Sequence, residues 1–130
     1  MNKPLLKLEN VRTWFHTDIG IVKAVDGLNV EVKAGQTLGI VGESGSGKSV
    51  TSLSIMRLLP LQTARMEEGS KIYFEGEDLL EMSDEKIRAI RGADISMIFQ
   101  EPMTSLNPVY TTGNQVIEAI MLHQELGHKE

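Results

Sequence analysis

The sequence contains no cysteine. That excludes a disulfide framework, a thiol nucleophile and any zinc site built on thiolates. No apolar run approaches the roughly 20 residues that a membrane-spanning helix needs. The first fourteen residues, MNKPLLKLENVRTW, lack the apolar centre of a secretory signal. Basic residues are not in excess. Lys and Arg number 13 against 18 Asp and Glu, for a net charge of −5. That balance does not suit a polyphosphate backbone, so nucleic acid is not expected as the main partner. His16, His123 and His128 are scattered without metal-ligand spacing. Internal repeats and low-complexity segments are missing too. The expectation from these absences is a soluble chain working in the cytoplasm.

What is present suits one packed α/β domain: 130 residues, 41% hydrophobic and 24% charged,. Residues 5–15 read as a strand, apolar at Leu6, Leu8 and Val11, with Trp14 and Phe15 at its end. A turn follows in HTDIGI. Residues 24–36 then alternate, with Leu28, Val30 and Val32 on one side and Asn29, Glu31 and Lys33 on the other, as in a half-buried strand. Residues 37–41, TLGIV, are apolar without alternation, which predicts a fully buried strand. The same reading applies to DISMIF, residues 94–99. A helix is expected from Lys48 to Leu59, with Val50, Leu53, Met56 and Leu59 near one face and Pro60 as its stop. KIYFEGEDL reads as a strand ending in a glycine turn. Ser83 caps a short helix, DEKIRAIR, which Gly92 ends. A last helix starts near Asn114. This order predicts an α/β core with an antiparallel β layer at its front.

The chemistry concentrates in GIVGESGSGKSVTS, residues 39–52. Gly42, four residues, Gly47, Lys48 and Ser49 match the phosphate-binding loop G-x-x-x-x-G-K-[ST]. Glycines without Cβ let the backbone curl and turn successive N–H groups inward, where they wrap a phosphate. The helix beginning near Lys48 directs its positive end at the same anion. Lys48 reaches the outer phosphates as a point charge, and the Ser49 hydroxyl is a ligand for Mg²⁺ bridging two phosphates. A flexible Gly/Ser turn is the plainer explanation. Yet the pattern arises by chance in under about 1% of chains this long, and here an apolar run precedes it and a helical pattern follows, as the mechanism requires.

LGIVGESGSGKSVTSLSIMRLL, followed about fifty residues later by ISMIFQEPMTSLNP, resembles the ATP-binding subunit of ABC transporters. Within that family the chain is most similar to the oligopeptide and dipeptide importers. The resemblance spans nearly the whole chain, and FQEPMTSLNP is the segment that narrows the branch. It implies a P-loop NTPase core of the ABC ATPase type over residues 1–113, with the β layer, the P-loop and the Q-loop, and the start of a helical subdomain over 114–130. ATP and Mg²⁺ are the implied cofactors. The implied nucleotide contacts are Phe15, Gly42, Glu43, Ser44, Gly45, Ser46, Gly47, Lys48, Ser49 and Val50. Glu43 through Ser46 would act mainly through backbone N–H groups. Lys48 and Gln100 take catalytic roles, and Ser49 and Gln100 hold the metal. Gln100 matches the Q-loop glutamine; without the P-loop before it, a strand end in a polar loop would be the simpler reading. Phe15 matches the aromatic residue that stacks on adenine, where the family more often has tyrosine. Trp14 takes that place if the strand register differs by one, and one of the two rings then packs in the core.

The resemblance also marks what residues 1–130 do not contain. No apolar run ends in Asp-Glu, and the family's serine-glycine-glycine-glutamine signature and switch histidine do not occur. Glu101 follows Gln100 in a loop and is not expected to be the catalytic base. The expectation is the N-terminal part of a longer subunit, unable to hydrolyse ATP at a useful rate alone, with apolar edges free to associate. The implied partners are a second ATPase subunit, integral membrane permease subunits and, indirectly, a substrate-binding protein, at the cytoplasmic face of the membrane. Cargo would be short peptides, with nickel or glutathione import and non-transport ABC ATPases as alternatives.

Overall fold

A computed structural model describes residues 3–43, 47–99 and 107–124. It divides into two compact units, Met1–Ser83 and Asp84–Glu130.

The first unit is built on a long hairpin, β1 (Leu6–Thr17) and β2 (Gly20–Val32). They pair antiparallel from Leu6↔Val32 to Thr17↔Gly20 around a two-residue turn. The other edge of β1 is shared. Its first half pairs with β4 (Lys71–Phe74), and its second half with β3 (Ala64–Met66). β4 turns through Glu75 and Gly76 into β5 (Glu77–Asp78). Both turn residues have positive φ, 51° and 84°, as the tight hairpin turns of twisted strands require. The alternation over residues 28–33 holds: Leu28, Val30 and Val32 are partly covered, while Asn29, Glu31 and Lys33 are exposed.

A strict period of two would put Leu8 and Val11 on opposite faces, yet they are 2% and 0% exposed. The ladder accounts for this. Leu8 pairs with Val30 and Val11 with Leu28, so β1 carries one extra residue between them. Asn10 absorbs it with φ 47°, and its N–H donates to Asn29 Oδ1 at 2.9 Å. Asparagine tolerates this left-handed geometry better than most residues. Two further register shifts fall on β2, where Gly27 and Ala24 are the residues left between successive pairs. Such bulges re-aim a strand and sharpen its twist.

Helix α1 (Lys48–Met56) covers the face that carries Val11 and Thr13. It is shorter than expected. It ends at Met56 because Arg57 adopts the left-handed conformation, its N–H bonded back to the carbonyls of Leu53 and Ser54. The Arg57 guanidinium donates to the carbonyls of Leu79 and Met82, at 3.3 and 2.7 Å. These contacts stabilise a backbone state that otherwise favours glycine, and the stop falls before Pro60 is reached. The buried residues of α1 also differ from the expected stripe. They are Thr51, Ser54 and Met56. Thr51 and Ser54 donate their hydroxyls to the carbonyls four residues earlier, at 2.8 and 2.7 Å, so their polar atoms enter the interior already paired.

Two apolar runs expected as buried strands are not strands. Residues 36–43 form no ladder, and Leu38, Ile40 and Val41 are exposed, Val41 at 96%. Residues 96–99 are likewise without regular structure, and Ile98 is 90% exposed. A strand buried on both faces is held by neighbours on its edges. Among the described residues no strand pairs with either run.

In the second unit, α2 spans Asp84–Ile90. Asp84 and Glu85 in its first turn and Arg88 in its last match the sign of the helix dipole at each end. The chain turns at Gly92, φ 79°, and a single bridge joins Arg91 to Ile95. Helix α3 spans Thr112–Gln124, starting two residues before the expected Asn114. Thr111 Oγ1 accepts the Asn114 N–H at 3.2 Å, a side-chain cap. The Gln115 amide ties down the preceding loop through Asn107 and Tyr110. Among the described residues no helix is long and apolar enough to cross a membrane.

Candidate nucleotide-binding site

The phosphate-loop residues described are Gly42, Glu43, Gly47, Lys48, Ser49 and Val50; Ser44, Gly45 and Ser46 lie outside the described residues. Gly47 is the N-cap of α1, with φ 95° and ψ 5°. A Cβ there would lie 2.5 Å from the carbonyl oxygen of Ala24. Position 47 therefore requires glycine twice over, for its dihedral angle and for the backbone pressed against it. Ala24 is one of the bulge residues of β2, so the loop's last glycine seats on an irregularity of the hairpin. The Gly47 carbonyl accepts both the N–H and the hydroxyl of Thr51, at 2.9 and 2.8 Å, which locks the first turn of α1.

That turn suits an anion. Its N-cap is a glycine, which brings no capping side chain of its own, and its first turn carries no acidic residue, so the positive end of the helix meets no carboxylate there. The Lys48 ammonium folds back over the loop and donates to the carbonyls of Gly42 and, at 2.9 Å, Glu43. Lys48 thereby lies across the loop it is expected to serve. Ser49, the expected metal ligand, is exposed at the start of α1. The donor set fits a phosphate group and a hard cation: backbone amides, one ammonium and one hydroxyl.

Phe15 and Trp14 lie on opposite faces of β1. Thr13, Trp14 and Phe15 pair in unbroken register with Met66, Arg65 and Ala64. Thr13 meets α1 through Ser54, so Phe15 shares the α1 side of the sheet and Trp14 takes the other. Trp14 is engaged there. Lys23 Nζ lies 4.5 Å from its ring centroid, the Arg12 guanidinium lies at 5.9 Å, and its indole N–H donates to Asp26 at 3.2 Å,. Phe15 stands between Val22 and Ala64 on the neighbouring strands and remains partly exposed. The remaining expected site residue, Gln100, lies outside the described residues.

Sequence reasoning did not single out Ala24, Thr13 or Ser54. Ala24 acts through its carbonyl, which no side-chain pattern reveals. Thr13 and Ser54 are small polar residues inside otherwise apolar patterns, which is the available signal.

A family profile described as ABC transporter matches residues 25–129. The chain belongs to the ABC transporter family. A dipeptide transport ATP-binding protein of Bacillus subtilis is 50% identical over 125 residues, covering 96% of this chain and 37% of the relative. A probable peptide ABC transporter ATP-binding protein of Sinorhizobium fredii is 49% identical over 126 residues, with 97% and 37% covered. A glutathione import ATP-binding protein of Salmonella choleraesuis is 46% identical over 133 residues, covering 99% of this chain and 21% of the relative. Among solved structures, the dimeric bacterial ABC transporter cassette MJ0796 superimposes with a TM-score of 0.79 at 25% identity. The match covers 95% of this chain and 51% of that one. The fold is thus part of an ABC ATPase cassette, and the chain spans little more than a third of the length of its peptide-transport relatives.

Proposed function

We propose that residues 1–130 are the nucleotide-binding part of an ATPase subunit that powers an ABC importer of di- or oligopeptides. The observation that carries this is the lysine-over-loop arrangement at the glycine-led start of α1, with Gly47 held against Ala24. In this reading the loop amides and Lys48 hold the phosphates of ATP, and Phe15 stacks on the base. Ser49 and Gln100 hold Mg²⁺, which when bound would neutralise phosphate charge. Binding without useful turnover is proposed for these residues alone, since no Asp-Glu strand end and no signature motif occur among them. In the whole transporter the partners would be a second ATPase subunit and membrane permease subunits at the cytoplasmic face, with residues 114–130 opening a helical subdomain. Peptide cargo rests on the relatives named for peptide and dipeptide transport; the glutathione relative favours a small peptide-like cargo as the second reading.

The test is calorimetric titration of Mg·ATP into the chain and its Lys48→Ala variant, with phosphate release followed in parallel. Saturable binding, lost in Lys48→Ala and unaccompanied by phosphate release, is expected because a charge-assisted contact disappears. Equal affinity in the two proteins would remove the phosphate-loop assignment. Phosphate release abolished by Lys48→Ala would overturn the binding-without-turnover reading.

A further inference from the structure

The two parts of the proposed nucleotide site sit on different elements. The phosphate loop leads into α1, while the base-stacking Phe15 sits on β1. ATP spans both, so its affinity depends on the spacing between helix and strand. One buried polar contact joins them. Thr13 Oγ1 and Ser54 Oγ lie 2.9 Å apart, and the two residues are 0% and 2% exposed. Ser54 donates to the Val50 carbonyl at 2.7 Å, so its oxygen accepts from Thr13. Met66 Sδ, 3.0 Å from Thr13 Oγ1, is a weak second acceptor on β3. The relay ends on the carbonyl of Val50, two residues beyond Lys48, and starts two residues before Phe15 on the same face of β1. Apolar side chains would fill this space equally well, but they slide. A hydrogen bond between two buried hydroxyls fixes one register of helix on strand.

We propose that Thr13 and Ser54 are positioning residues for ATP, a strut that sets the distance between the base platform and the phosphate cradle. This rests on the nucleotide-site reading above. Thr13→Val is close to isosteric. It leaves no donor unpaired, because the Ser54 proton already has its acceptor on Val50, so the variant retains a satisfied interior.

The experiment compares dissociation constants for Mg·ATP and for inorganic tripolyphosphate with Mg²⁺, which uses the cradle alone, in the wild-type chain, Thr13→Val and Thr13→Ser. The expected result for Thr13→Val is ATP binding weakened about 5- to 10-fold with tripolyphosphate binding unchanged. Thr13→Ser, which keeps the hydroxyl, restores ATP affinity. Phe15→Ala should then cost less in the Thr13→Val background than alone, since the ring is already misplaced. Equal weakening for both ligands would mean a general structural role and overturn the proposal, as would no weakening for either. Wild-type chain that binds neither ligand would instead defeat the nucleotide-site reading itself.

Discussion

The carbonyl oxygen of Ala24 occupies the space that a side chain on Gly47 would need, 2.5 Å from the position of its Cβ. Gly47→Ala must therefore displace the β2 bulge or the start of α1, in addition to holding a non-glycine residue at φ 95°. The backbone strain alone costs about 1–3 kcal/mol. Urea denaturation should show a midpoint lowered accordingly, and Mg·ATP binding should be lost. A variant with wild-type stability and affinity would mean that the loop does not rest on Ala24.

The two adjacent aromatics should separate cleanly. Phe15→Ala is expected to weaken Mg·ATP binding by about 1–3 kcal/mol, the range for loss of a base-stacking ring. Trp14→Ala should leave nucleotide affinity near wild type, because that ring faces away from α1 among Lys23, Arg12 and Asp26. Its loss should register in stability instead. The reverse pattern in titration calorimetry would move the base platform to Trp14.

The bulge at Asn10 makes its own demand. Asn10→Gly keeps the positive φ accessible and should fold with little change. Asn10→Val places a β-branched residue in the left-handed region and should destabilise by about 1–3 kcal/mol. Comparing the two by chemical denaturation tests the dihedral requirement, since both remove the asparagine amide. Equal effects would show that the side-chain contacts of Asn10 dominate.

Residues 38–41 present Leu38, Ile40 and Val41 without a ladder partner among the described residues, where they line a cavity of about 490 Å³ together with β2 and Thr51. Exposed apolar backbone of this kind invites association. Sedimentation velocity of the purified chain should show concentration-dependent self-association, reduced by Val41→Lys. A monomer at every concentration would count against it.

The candidate site could be named from the sequence, because phosphate binding by backbone amides imposes residue types at fixed spacing. Gly42, Gly47, Lys48 and Ser49 stand out as candidates by their spacing, and the alternation over residues 28–33 identified a half-buried strand. Both signals are local, so no distant contact was needed to read them. The remainder depended on neighbours far along the chain. Leu8 and Val11 share a core because a bulge at Asn10 shifts the register, and a bulge follows from ladder geometry, not from periodicity. Helix α1 stops at Arg57 because Leu79 and Met82 offer carbonyls more than twenty residues away. Thr51 and Ser54 turn inward because their hydroxyls are satisfied within the helix. Residues 37–41 and 94–99 have the composition of buried strands. A strand, however, is a property of a pair of segments, and only the assembled sheet decides which apolar runs find a partner.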